Sequence, residues 1–376
     1  ILIIIIIRQS NKDVNTRMVQ IEHMYHFLYD NLFPDFRVCH PIGGVPSTNE
    51  KITPSDISVY HGGEVFNVTD GRYAYSMFFY DQEPLWTGMV DKYYDYFTRF
   101  LEAPSRIWKP FLVTSEKSDQ ATDLYYFFHG FAALDWFRGY HAMNHHKPVV
   151  RACRDYITFN RTITGDRAYR RTFVELLRSR DLLHQGLVSY GVDGMHEDYL
   201  AVDGDRISAD ASASIPLTIK DHSGHLPDYD AFWHVVTETV FDQPKLHLTE
   251  KIFKPIVSKQ PFMLLAAPGN LEYLRSYGFR TFDGIIDESY DTMPEGQDRI
   301  NAVVSQLEWY CALTDKEKTR VQQECEPMVE HNFQHFYGQF REIIADELLH
   351  NTKEFFDRIG HDDSRIDYAT IRSLLI

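Results

Sequence analysis

The stretch Phe232-Trp233-His234-Val235-Val236-Thr237-Glu238-Thr239, followed after a short loop by Leu248-Thr249-Glu250-Lys251-Ile252-Phe253-Lys254-Pro255-Ile256, decides how this chain is read. Its first segment is apolar and β-branched, the pattern of a strand. The second opens on Thr249, a good N-cap, and reads as a helix over residues 249–258. Pro255 has no N–H to give to the ladder and kinks or shortens that helix. A strand, a loop and a helix that opens with cations make a site for an anionic ligand. Free backbone N–H groups and the helix dipole favour negative charge there, and Lys251 adds a point charge. Glu250, on the same turn, is placed to hold hydroxyls, so the pattern suits a phosphorylated sugar or nucleotide. The plainer reading, an i,i+4 pair of Glu250 with Lys254, contributes only a few tenths of a kcal/mol and leaves Lys251 without a role.

Outward from this segment, strands alternate with helices. On the C-terminal side, residues 261–266 read as a strand, 270–277 as a helix and 281–286 as a strand, and the chain is mainly helical from Arg299 onward. On the N-terminal side come a strand over 156–160, a helix over 168–180 with Phe173, Leu176 and Leu177 on one face, and a short strand over 187–190. Residues 191–230 are polar and rich in Gly, Asp and Ser, and read as a long loop. Earlier still, strands are predicted over 1–7, 56–60, 75–80 and 111–115, and a helix over 18–32. Residues 123–140 form a helix or a strand–helix pair. A polar, Pro-containing stretch at 144–151 marks a linker. Such alternation predicts an α/β fold with mostly parallel sheets. The simplest architecture is two Rossmann-like domains facing each other across a cleft, residues 1–150 and 151–376, the second carrying the helical C-terminus.

Composition narrows the function classes. At 376 residues the chain is long enough for two cores, and 44% hydrophobic with 24% charged residues fits a soluble globular protein. A net charge of −16 repels nucleic acid and anionic membranes except at a local basic patch. The aromatic content of 14% serves cores first, and also carbohydrate- or base-stacking surfaces. Cys39, Cys153, Cys311 and Cys325 are scattered, which argues for a reducing compartment and against a structural zinc or a disulfide framework. The Ile/Leu run at 1–7 is too short to span a bilayer, and no cleavage pattern follows it. A cytoplasmic protein without membrane insertion is expected.

Four groups of residues could carry chemistry. Arg151, Arg154, Arg161, Arg167, Arg170, Arg171 and Arg178 invert the sign of an acidic chain locally. Among them Asn160-Arg161-Thr162 ends a strand and Arg170 lies on the next helix, at the carboxyl edge where open α/β sheets bind ligands. Arginine's planar fork suits a diphosphate, although a solvated face with pairs such as Arg171–Glu175 is the plainer alternative. Asp81 and Glu83, in Phe78-Phe79-Tyr80-Asp81-Gln82-Glu83-Pro84, leave the end of an apolar strand. Either could act as a general base, or simply belong to a strand-end turn. Glu238 is placed to hold a ribose or sugar hydroxyl, or to bond nearby backbone. Asp203-Gly204-Asp205 and Asp228-Tyr229-Asp230 have D-x-D spacing for a divalent metal, but such triplets arise by chance in so acidic a chain. His141 and His145 are four apart without an obvious third ligand. The sequence has no GxGxxG, Walker loop, nucleophile elbow or HExxH, which argues against dehydrogenases, P-loop enzymes, α/β-hydrolases and zincins.

Taken in order, these residues resemble the α-1,3-fucosyltransferase-type glycosyltransferases of the GT-B fold. Phe78–Pro84 resembles that family's strand ending in Glu-Ser-Pro, residues 157–177 its arginine-bearing stretch with Arg170 the best match, Glu238 the acid of its Phe-Glu-Asn, and Thr249-Glu250-Lys251 its Thr-Glu-Lys. Thr249–Ile256 together with Gln260-Pro261-Phe262, Gly278-Phe279 and Asp287-Glu288-Ser289-Tyr290-Asp291 is also similar to uncharacterised, often phage-encoded, glycosyltransferases. The likeness covers residues 155–291 and, before them, only Phe78–Pro84, where Gln82-Glu83-Pro84 departs from the family pattern. It implies an inverting, metal-independent glycosyltransferase with no cofactor beyond a nucleotide-diphosphate sugar as co-substrate. Residues 1–150 would take the acceptor and 151–376 the donor. Asn160, Arg161, Arg170, Lys251 and Lys254 would neutralise the diphosphate, Glu238 and Glu250 would hold donor hydroxyls, and Glu83 or Asp81 would be the base. The acceptor would be a glycan or a hydroxylated base of viral DNA, the latter placing the protein in the cytoplasm of a bacterial host. A metal-dependent D-x-D transferase and a non-catalytic nucleotide-sugar or glycan-binding protein are the alternatives.

Overall fold

The computed structural model describes residues 31–39, 75–80, 84, 109–117, 124–137, 154–160, 162–191, 199–201 and 231–376. The protein is a mixed α/β chain with parallel sheets and a helical C-terminus. It groups into two compact units, one of Ile1–Asp135 with Arg341–Ile376 and the other of Trp136–Phe340.

The first unit holds a four-stranded sheet in the order β1 (Phe36–Cys39), β2 (Tyr75–Tyr80), β3 (Lys109–Thr114) and β4 (Leu124–Tyr125), with every pairing parallel. Helix α1 (Phe128–Trp136) follows. Residues 341–376 belong here, whereas the sequence pattern alone assigns them to the second domain. The reason is aromatic packing: Phe33 meets Phe356 edge-on at 5.7 Å, and Phe36 stacks on Phe356 at 5.6 Å and meets His361 at 5.1 Å.

The second unit is built on β5 (Arg154–Thr158), α2 (Tyr169–Ser179), β6 (Gly186–Gly191), β7 (Tyr199–Ala201), β8 (Ala231–Thr237), α3 (Glu250–Val257), β9 (Phe262–Leu265) and α4 (Asn270–Ser276). Its sheet runs β7-β6-β5-β8-β9, parallel except for the antiparallel β6–β7 pair. All of β8 and β9 is buried, as strands covered on both faces require. Helix α2 turns Tyr169, Arg170, Phe173, Val174 and Leu177 inward at helical spacing. Then follow α5 (Gly296–Cys311), α6 (Asp315–Tyr337), α7 (Phe340–Ile359) and α8 (Tyr368–Leu375). A capping box between Thr314 and Glu317 starts α6. Among the described residues no helix is long and apolar enough to cross a membrane.

Two expectations for this unit change. Residues 281–286 form a turn closed by a single bridge, Asp283 to Ile286, instead of a strand. Gly284 adopts φ +86°, outside strand geometry, while Phe282 and Ile286 are buried from the turn and so mimic a strand's apolar pattern. The expected 191–230 loop contains β7, which pairs with Ser189, Tyr190 and Gly191.

Strand order places the site. From β5 the chain passes through α2 to β6 on one flank, then returns to the opposite flank with β8 and continues through α3 to β9. The order therefore reverses between β5 and β8, and ligands of open α/β sheets bind beside the carboxyl ends of strands at such a point. Those ends are Phe159-Asn160 and Glu238-Thr239.

Candidate functional site

At the carboxyl end of β8, Glu238 leaves the strand fully buried. Its side chain accepts from the Thr249 amide at 3.1 Å, the Thr249 hydroxyl at 2.5 Å and the Thr239 amide at 3.2 Å. Burial raises its carboxyl above the ordinary range, against the opposing pull of the Lys251 ammonium and the Thr249 bonds. Its three acceptor bonds go to the protein itself, so Glu238 braces the loop and the start of α3. This is a correction to its expected place as a holder of donor hydroxyls. It also puts a protein carboxylate at the α3 N-terminus, where an anion is favoured.

Thr249 is the N-cap of α3, as the sequence predicts, and accepts from the Lys251 amide at 3.3 Å. The Lys251 ammonium bonds Thr249 Oγ1 at 3.1 Å, Thr239 Oγ1 at 3.3 Å and Glu250 Oε1 at 3.0 Å. Both members of the Glu250–Lys251 pair keep part of their side chains in solvent, 21% and 29% respectively. Pro255 is accommodated near the end of a short helix that stops at Val257.

Lys254, one turn on, is buried with its ammonium 5.7 Å from the Phe159 ring centre. Across the same ring lies His234, at 5.5 Å. Burial, then the Lys254 charge, lowers the His234 pKa to about 3, so the imidazole is neutral at physiological pH. Thr237 Oγ1 donates to the Phe159 carbonyl at 3.0 Å, linking β8 to the end of β5. Asn160 is buried there, its Nδ2 on the Ser189 carbonyl at 3.1 Å and its amide on Ser189 Oγ at 2.9 Å.

Arg170 reaches this edge from α2 but turns inward. Its guanidinium donates to the carbonyls of Thr162 at 3.1 Å, Thr237 at 2.8 Å and Glu238 at 3.1 Å, and only 3% of the residue is exposed. A cation committed to three backbone acceptors holds the strand end and does not face a diphosphate, which corrects its expected role. Tyr169 joins it, donating to the Glu238 carbonyl at 2.6 Å and stacking on Phe241 at 3.9 Å. Arg299 packs on Phe241 at 4.3 Å and donates to its carbonyl at 2.5 Å. The other described arginines disperse likewise: Arg154 bonds the His184 carbonyl, Arg171 the Ile163 carbonyl and Arg180 the Glu308 carboxylate. The basic run therefore does not converge on one anion.

Asn160, Glu238, Glu250, Lys251 and Lys254 thus meet at one sheet edge, with Arg170 beneath it. Asp81, Glu83, Arg161, both D-x-D triplets, His141 and His145 lie outside the described residues. Among the described residues no three His, Cys, Asp or Glu side chains are grouped to hold a metal ion. Thr239, Tyr169 and Arg299 were not foreseen. Their partners lie at least 12 residues away in the cited bonds to Lys251, Glu238 and Phe241, and no local spacing signals such contacts.

The motif Asp287-Glu288-Ser289-Tyr290-Asp291 is consumed by the fold. Glu288 accepts from the Phe282 amide at 2.6 Å and from Arg275 at 3.2 Å, and Tyr290 Oη accepts from the Leu264 amide at 3.3 Å. Asp291 caps α4 by accepting from the Leu271 amide at 3.0 Å. No family model, curated protein or solved structure matches this chain.

Proposed function

We propose that this chain is an inverting glycosyltransferase of the GT-B type, two Rossmann-like domains facing across a cleft, with the nucleotide-diphosphate sugar held by residues of the second. The observation that supports it is the part-exposed Lys251–Glu250 pair on the first turn of α3, beside the β5/β8 switch point. In this reading the Lys251 ammonium meets the diphosphate and Glu250 the hydroxyls, while Glu238, Thr249 and Arg170 hold those two in place. An acceptor hydroxyl gives its proton to Glu83 or Asp81, and its oxygen attacks the anomeric carbon from the face opposite the diphosphate. The carbon–oxygen bond to the diphosphate breaks, and that group leaves with the electron pair. Its charge grows as it leaves, which is where a fixed cation accelerates the reaction. Glycans and the hydroxylated bases of viral DNA are the acceptor classes, and no divalent metal is required.

A non-catalytic nucleotide-sugar-binding protein is the second reading. It is favoured by the inward use of Arg170, which leaves fewer cations for a departing diphosphate. Incubating the full chain with a panel of nucleotide-sugars, with glycans or hydroxymethylated DNA and excess EDTA, separates these readings. Transfer that persists in EDTA supports the proposal. Transfer abolished by EDTA favours the D-x-D alternative, and donor binding with neither transfer nor hydrolysis favours the binding protein.

A further inference from the structure

An ammonium has three protons, and all three of those on Lys251 have acceptors: the hydroxyls of Thr249 and Thr239 and the carboxylate of Glu250, at 3.1, 3.3 and 3.0 Å. Two of these acceptors are fixed. Thr249 is buried, takes the Lys251 amide as well, and passes its own proton to buried Glu238. Thr239 is buried and anchored through its amide to the same carboxylate. Glu250 differs, since a fifth of its side chain reaches solvent. It is the acceptor that can be exchanged for a ligand.

The exchange has an electrostatic condition. A bare anion that displaces Glu250 leaves a carboxylate beside it with nothing in return, and like charges at that range repel. A ligand that carries hydroxyls next to its phosphates offers the carboxylate new donors as it takes the ammonium. We infer that Glu250 is a specificity gate, which covers Lys251 in the free protein, rejects simple polyphosphate and yields to a polyhydroxylated diphosphate. This rests on the reading of Lys251 and Glu250 as the donor site and adds the means by which that site refuses inorganic anions, a rejection built from repulsion.

Titration of the full chain with inorganic pyrophosphate and with uridine and guanosine diphosphates tests the gate. Wild type is expected to bind at least one nucleoside diphosphate about tenfold or more tighter than pyrophosphate. Glu250→Gln should bind pyrophosphate about tenfold tighter than wild type does, about 1.4 kcal/mol, and the preference for the nucleotide should shrink to a few-fold. Glu250→Ala, which removes the carboxylate without supplying an amide, must give the same gain. Adding Lys251→Met to either variant must remove it. If wild type binds a nucleoside diphosphate but neither variant gains pyrophosphate affinity, or the gain survives Lys251→Met, the gate is wrong and the donor site stands. If no nucleoside diphosphate binds wild type, the donor site and the gate fall together.

Discussion

Thr249 and Glu238 share one proton-ordered contact that fixes the start of α3: the Thr249 hydroxyl donates to Glu238 at 2.5 Å while accepting from both nitrogens of Lys251, at 3.3 and 3.1 Å. With both lone pairs taken by lysine N–H groups, the hydroxyl proton has to point at the carboxylate. Thr249→Val keeps the volume and loses every one of these bonds. A lost N-cap costs about 1 kcal/mol, and a buried carboxylate deprived of a donor adds about 1–3 kcal/mol. Urea unfolding should therefore show Thr249→Val destabilised by roughly 2–3 kcal/mol and Thr249→Ser by much less. Equal effects of the two substitutions would contradict the hydroxyl's role.

Arg170 is a structural cation in this account. Arg170→Gln leaves backbone carbonyls of Thr162, Thr237 and Glu238 short of donors inside the protein. A loss of roughly 2–4 kcal/mol in unfolding free energy is expected with no ligand present. A variant as stable as wild type that had lost only nucleotide affinity would restore Arg170 to the diphosphate.

His234 carries an acid-sensitive contribution. Its pKa is held at about 3, below the ordinary 6.5, by burial and the Lys254 charge. Between those two values the unfolded chain binds more protons than the folded one, so stability from this group is complete above pH 6.5 and falls as pH drops toward 3. The difference in unfolding free energy between wild type and His234→Gln, measured at pH 7.5 and 5, should move against wild type in acid. A difference that is flat, or that moves toward wild type, would mean the imidazole is solvated.

What the sequence disclosed follows from how local each signal is. Strand β8 is legible because every residue in it is buried, which imposes an unbroken apolar run. The α3 start is legible because an N-cap acts within three residues. The fate of Arg170 is not, since its acceptors lie 8, 67 and 68 residues away and meet only when α2 packs on the sheet. Glu238 was correctly singled out as an acid at a strand end, but its partners Thr249 and Thr239 decide that it faces the backbone. Residues 281–286 show the converse error, an alternating apolar pattern produced by a turn around Gly284.

Comparing calorimetric titrations of wild type and Lys251→Met with uridine and guanosine diphosphates bears most directly on the claim that the α3 ammonium receives a diphosphate. One of the two nucleotides should bind wild type, and its affinity should fall about 30-fold or more in the variant, about 2 kcal/mol. Equal affinity in the two proteins would contradict the claim.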